Sequence, residues 1–246
     1  MKKSIDKAGL KAKLHDGMSI MIGGFLANGT PERIVDVLVE SGVKDLTMIV
    51  NDTSYPDRGC GRLIANKQVK HLIVSHIGTN PMTAEQMNNG ELEVEFSPQG
   101  TLAERIRVGG CGLGGVLTTT GLGTIIADGK KVININGQDY LLELPLRADM
   151  AFIKGTVGDE TGNLVYKGTT QNFQPLMAMA ADCVVAEIDE IVPVGQISPE
   201  AVHTSGIFVD YIFDLVAQRL YTTIGVLSQA SLGRLSWIEA LTNQSL

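Results

Sequence analysis

The sequence predicts an α/β fold, an open and mostly parallel sheet with helices on both faces. Three observations carry that expectation. A strand, a glycine-rich turn and a helix follow one another between Asp16 and Gly42; further short apolar runs recur along the chain, several ending in small or polar residues; and helical stretches lie between those runs. Strands buried on both faces read as continuous apolar segments. Strands that alternate with helices assemble into parallel sheets through crossover connections.

The first unit is DGMSIMIGGFLANGTP, Asp16 to Pro31. Asp16-Gly17 makes a polar turn, and Ile20-Met21-Ile22 has the length and apolarity of a short buried strand. Gly23 and Gly24 follow at once, then Phe25, three loop residues, Gly29 and Thr30-Pro31. Thr30 belongs to the residue class that caps helix N-termini, and Pro31 suits a first helical turn, where its missing N–H costs nothing. The helix then runs from Glu32 to Ser41, with apolar residues at 34, 35, 38 and 39 and Gly42 placed to end it. Two readings of the turn stay open. Free N–H groups and the positive end of the helix dipole make it a seat for an anionic or phosphorylated ligand; or it is a tight connection in which glycine relieves crowding. Its spacing, G-G-x-x-x-x-G, matches neither the dinucleotide fingerprint nor the phosphate loop.

Further strands are predicted at 46–50, 72–74, 94–96, 132–133, 150–153 and 183–186, and helices at 83–87, 101–108 and 173–181. In open α/β sheets ligands bind beyond the carboxyl ends of the strands, near a topological switch point. Four successive strand ends carry small or polar groups: Gly23-Gly24, Asn51-Asp52, Ser75-His76, and Ser97 with Gln99. They are expected to gather along one edge of the sheet and form the site. The glycine-dense stretch 109–123 reads first as a loop, and second as a surface that admits a partner or a moving segment.

Composition bounds the function. The 246 residues, 44% hydrophobic and 19% charged, suit one α/β domain of ordinary size. A net charge of −7, with no basic run longer than Lys2-Lys3 or Lys130-Lys131, argues against nucleic acid as a partner. No apolar run approaches the roughly 18 to 20 residues that cross a bilayer, and the charged N-terminal stretch lacks the apolar core of a secretory signal. Three widely spaced cysteines, Cys60, Cys111 and Cys183, suggest a reducing compartment, and no His, Cys and carboxylate cluster has metal-ligand spacing. The expectation is a cytoplasmic protein.

Candidate nucleophiles and bases are few. Glu91, Glu93 and Glu95 alternate, which puts them on one strand face, most simply a solvated one. Glu104 sits beside Arg105 and Arg107 and reads as a surface pairing residue. Ser75 and His76 lack a nucleophile elbow, so His76 is expected to order its loop. Asp52 stands where a dinucleotide-binding fold places an acid for the ribose hydroxyls, which keeps an oxidoreductase domain as an alternative. A non-catalytic regulatory subunit is a third reading.

The segment Asp16 to Pro31 fills, at Asp16, Gly17, residues 20–22, Gly23, Gly24, Phe25, Gly29 and Pro31, the signature of the α subunit or α domain of the family I CoA-transferases, which the chain therefore resembles. IVNDTSY, SHIGTNP, GELEVEFSPQGTLAERIRVGG, PLRADMAFIKG, GNLVYKGTTQNF and VHTSGIFVD are also similar to stretches of bacterial short-chain α subunits. The resemblance spans about residues 4–214, giving an expected domain at 1–214 and an atypical tail at 215–246 that holds Trp237, the only tryptophan. It implies the fold of such α subunits and reversible CoA transfer between short-chain acyl-CoA and a carboxylate, such as acetate or butyrate with acetoacetate. It implies a ping-pong route through a glutamyl-CoA thioester whose glutamate belongs to a β subunit, in an α/β heterotetramer, with CoA as substrate and no metal or other cofactor. It places Gly24, Phe25, Leu26, Ala27, Asn28, Gly29 and Thr30 along the CoA site, and Gln99 and Asn51 in support near the reacting centre.

Overall fold

The computed structural model describes residues 3–213; the 215–246 tail lies outside the described residues. In chain order the elements are β1 (Ser4–Ile5), α1 (Lys7–Lys11), β2 (Ser19–Ile22), α2 (Glu32–Ser41), β3 (Leu46–Asp52), α3 (Gly61–Ala65), β4 (Val69–His76), α4 (Pro81–Asn88), β5 (Glu93–Phe96) and α5 (Gln99–Gly110). They continue with β6 (Val116–Thr118), β7 (Val132–Ile135), β8 (Gln138–Glu143), β9 (Ala148–Asp159), β10 (Leu164–Val165), α6 (Gln174–Met179), β11 (Ala181–Val192) and β12 (Tyr211–Phe213).

The main sheet has the order β1-β12-β11-β9-β2-β3-β4-β5, parallel throughout, with β10 folded back antiparallel on β9. Side chains alternate between two apolar layers. Ile20, Ile22, Met48, Val50, Leu72 and Val74 join Ile34, Leu38, Leu63 and Ile64 of α2 and α3 on one face. Met21, Ile49, Ala151 and Ile153 join Leu102 and Ile106 of α5 and Met177 of α6 on the other. This is the predicted open sheet covered on both sides.

The chain leaves β2 toward β3, β4 and β5, then returns to β9 on the other flank of β2, with Ile22 paired to Phe152. The turn after β2 therefore stands at the switch point of the sheet, and β9 continues past it from Phe152 to Asp159. Gly42 ends α2 as expected, with φ 70° and its N–H on Val39 O.

Three local expectations are corrected. Val132–Ile135 pairs with β8 in a separate antiparallel sheet of order β6-β8-β7, not in the parallel one. Its partner follows at once through Asn136-Gly137, both at positive φ (52° and 84°), so a two-residue hairpin turn supplies a local pairing in place of a crossover. Thr30 makes no capping bond, and α2 begins at Glu32 with Pro31 in the cap position. Glu91 precedes β5, leaving Glu93 and Glu95 as the exposed alternating pair of that edge strand. Among the described residues no helix is long and apolar enough to cross a membrane.

Candidate active site

Parallel register brings the carboxyl ends of β2, β3 and β4 side by side, with the start of α5 next to them. Asn51-Asp52, Ser75-His76 and Gln99 of the predicted strand ends meet there, while Gly23-Gly24 leads into it through Phe25 and Leu26. Phe25, Leu26, Asn51, Asp52, Ser75 and Gln99, with His76 and Thr79, line an open cleft of about 400 Å³. A larger share of this wall comes from β3 and β4 than from the turn, for Gly24, Ala27, Asn28, Gly29 and Thr30 do not line the cleft.

The turn itself is a closed two-residue loop. Phe25 N–H donates to Asn28 O at 3.0 Å and Asn28 N–H to Phe25 O at 2.8 Å, with Leu26 and Ala27 both left-handed at φ 49° and 64°. Left-handed backbone costs about 1–2 kcal/mol for each side-chain-bearing residue, so such a turn persists only where its surroundings hold it. They do so from two sides. From β3, Asp52 Oδ2 accepts the Leu26 N–H at 3.0 Å. From the 167–174 segment, Asn172 Oδ1 accepts the Gly24 N–H at 3.2 Å, Asn172 Nδ2 donates to Asn28 O at 3.1 Å, and Gln174 Nε2 donates to Gly29 O at 2.5 Å. The paired glycines answer a steric demand here: a Cβ on Gly23 would stand 1.9 Å from Gln174 Oε1, and one on Gly24, at φ 135°, 2.2 Å from Thr30 Oγ1.

The expected anion seat at the helix start is already filled. Glu187, on β11 and 2% exposed, places Oε2 on the N–H groups of Arg33 and Ile34 at 2.9 and 3.2 Å. A buried carboxylate thus satisfies the orphan donors that Thr30 was expected to share. Burial pushes the Glu187 carboxyl above the usual range, against the opposing pull of Arg33, Lys154 and the two N–H groups. At the turn, the N–H groups left without a protein acceptor among the described residues are those of Ala27 and Gly29.

Across the cleft floor runs a chain of side chains. Gln99 Nε2 donates to Asn51 Oδ1 at 2.8 Å; Asn51 Nδ2 donates to Asp52 Oδ2 at 2.7 Å; Ser54 N–H donates to Asp52 Oδ1 at 2.7 Å. Asn51 is 1% exposed, Asp52 3%, and Gln99 lies open at the N-terminal turn of α5. Both oxygens of Asp52 are therefore engaged inside the protein, which removes the ribose-binding acid that an oxidoreductase reading needs. His76 is exposed on the cleft wall, with its ring close against Gly78 of the loop that follows. Thr79, donating to Ser54 O at 2.8 Å, and Asn80, donating to Thr53 O at 3.0 Å, tie that loop to the end of β3. Glu93, Glu95 and Glu104 pair with His71, Arg105 and Arg107 away from the cleft. Among the described residues no glutamate lines it.

Residues 3–215 match the family model described as Coenzyme A transferase. The chain belongs to the coenzyme A transferase family. It is 58% identical over 203 residues to the acetoacetyl-CoA:acetate/butyrate CoA transferase alpha subunit of Clostridium acetobutylicum, a match covering 82% of this chain and 93% of that one. It is 51% identical over 197 residues to the acetate CoA-transferase subunit alpha of Escherichia coli K12, covering 80% and 90%. The fold is similar to that of the acyl-CoA transferase YdiF of E. coli O157:H7, solved as a thioester complex with CoA, with TM-score 0.76 and 18% identity. That match covers 86% of this CoA transferase chain and 47% of the YdiF chain, so this polypeptide spans about half the length of that enzyme.

Sequence reasoning reached Asn51 and Gln99 but missed the residues that hold the turn. Asn172 and Gln174 lie in GNLVYKGTTQNF and its neighbour, and their amide side chains in a glycine-bearing loop were the available signal. Nothing in the local sequence links Glu187 to α2.

Proposed function

We propose that this chain is the α subunit of a short-chain acyl-CoA:carboxylate CoA-transferase, working on pairs such as acetyl-CoA or butyryl-CoA with acetoacetate. The observation that carries this reading is the 58% identity to the Clostridium alpha subunit over 93% of its length. The β subunit completes the enzyme, in a heterotetramer within the cytoplasm, and CoA enters as substrate with no metal or other cofactor.

The nucleophile is a glutamate of the β subunit. Its carboxylate oxygen attacks the thioester carbonyl carbon, the C–S bond breaks, and an acyl-glutamyl anhydride and CoA thiolate result. The thiolate then attacks the glutamyl carbonyl, releasing the first carboxylate and leaving a glutamyl-CoA thioester; the second carboxylate reverses the sequence. Covalent catalysis of this kind divides one hard displacement into easier ones. This chain's part is to hold CoA at the Gly24 to Thr30 turn, whose Phe25 and Leu26 face the cleft, and to supply a neutral donor. Gln99 has one Nε2 hydrogen on Asn51, and its second is available to a tetrahedral oxyanion without neutralising the attacking carboxylate. Purification with and without the β subunit, followed by a CoA-exchange assay, tests the division of labour. Exchange by the pair alone is expected; full exchange by this polypeptide by itself would refute it.

A further inference from the structure

We infer that Asp52 is a positioning residue that ties the orientation of the Gln99 amide to the seating of the Phe25–Asn28 turn, an assignment that rests on the transferase reading of the cleft. Three donors converge on its two oxygens: Leu26 N–H and Asn51 Nδ2 on Oδ2, and Ser54 N–H on Oδ1. A carboxylate only accepts. Asn51 must therefore turn its nitrogen toward Asp52 and its oxygen toward Gln99, and Gln99 must answer with Nε2 at 2.8 Å. Ser75 Oγ lies 2.7 Å from Asn51 O and 3.2 Å from Asn51 Oδ1, and its single hydrogen can serve either oxygen. The direction of every hydrogen bond from the turn to α5 is set by one buried charge.

The same oxygen that orients Asn51 holds Leu26, whose backbone is left-handed. A displacement of the turn thus reaches Gln99 through three successive hydrogen bonds. Alanine at position 52 removes both acceptor oxygens, so Leu26, Asn51 and Ser54 lose their shared partner together and the amides of Asn51 and Gln99 are free to reverse.

The test is a double-mutant cycle in the assembled α/β enzyme, which separates action through Gln99 from independent damage. Asp52→Ala is expected to lower kcat by roughly 10- to 100-fold in the presence of Gln99, the scale of a misplaced catalytic group. In a Gln99→Ala background the same change is expected to cost less than about threefold. Equal losses in both backgrounds, or an unchanged kcat, would overturn the assignment. Where Asp52→Ala does not assemble, Asn51→Ala replaces it in the cycle, since it breaks the link while leaving Asp52 its bonds to Leu26 and Ser54. Amide hydrogen exchange gives a readout free of activity: the peptide containing Leu26 exchanges faster in Asp52→Ala than in wild type, and equal rates would refute the anchor. A wild-type complex that exchanges no CoA would strike the transferase reading instead, and the Leu26 exchange rate would still decide the anchor.

Discussion

Glu187 Oε2 accepts the backbone N–H of Ile34 at 3.2 Å, joining positions 153 residues apart in the chain. The same oxygen takes the Arg33 N–H, and Oε1 lies 3.5 Å from Arg33 Nε and 3.7 Å from Lys154 Nζ. The helix behind the turn is thereby pinned to the strand two places away in the sheet. Glu187→Ala leaves two backbone donors without an acceptor and Arg33 without its carboxylate, while Lys154 keeps Asp189 at 3.0 Å. An expected loss of about 2 kcal/mol in urea unfolding allows for the partial exposure of Arg33.

The pH dependence of that contact has a definite sign. Burial raises the Glu187 carboxyl above its value in the unfolded chain, so the folded state holds the proton more firmly. Its contribution is complete below the ordinary glutamate range and declines as pH rises through the raised folded value. The stability of wild type relative to Glu187→Gln is expected to fall as pH is raised from about 4 toward 7. A difference that grows over that interval would contradict the burial argument.

Gly23→Ala drives a methyl group into Gln174, whose amide joins Lys154 N–H to Gly29 O. Gln174 is fully buried and has nowhere to retreat. Unfolding stability should drop by about 1–3 kcal/mol, the usual range for overpacking, and KM for acyl-CoA should rise as the turn shifts. Normal stability with normal KM would show that the close approach is unimportant.

Gln99→Ala removes the exposed amide and its bond to the buried Asn51 Oδ1 but leaves the Asp52 anchor of the turn in place. A loss on the order of 100-fold in kcat, the scale of one oxyanion donor, is expected with little change in KM for acyl-CoA. A KM effect alone would make Gln99 a binding residue.

The cysteines give a check on burial beside the cleft. Cys60 is enclosed, with Sγ donating to Asp52 O at 3.2 Å, and burial pushes its thiol up to about 12. Cys111 is exposed. Maleimide labelling of the isolated folded chain, read by peptide mass spectrometry, should modify Cys111 well before Cys60. Prior labelling of Cys60 would mean that the β3 end opens readily.

What was legible in the sequence follows the physics of each element. Buried parallel strands such as β3 and β9 are continuous apolar runs and announce themselves, and Gly42 marks a helix end because its left-handed backbone favours glycine. The gathering of Asn51, Ser75 and Gln99 followed from topology alone. The small antiparallel sheet escaped because β7 is half-exposed and short; the Asn136-Gly137 pair was its readable sign. The capping of α2 by Glu187 escaped because it depends on the order of strands across the switch point. Thr30 followed local propensity, and a buried carboxylate from another strand displaced that role.

The central claim is that this polypeptide holds the thioester substrate while the partner chain carries the covalent intermediate. Intact-mass spectrometry of both subunits, after the complex is incubated with acyl-CoA and no acceptor, tests it directly. The account predicts a CoA-sized increment on the β subunit and an unmodified mass for this chain. An increment on this chain would contradict it.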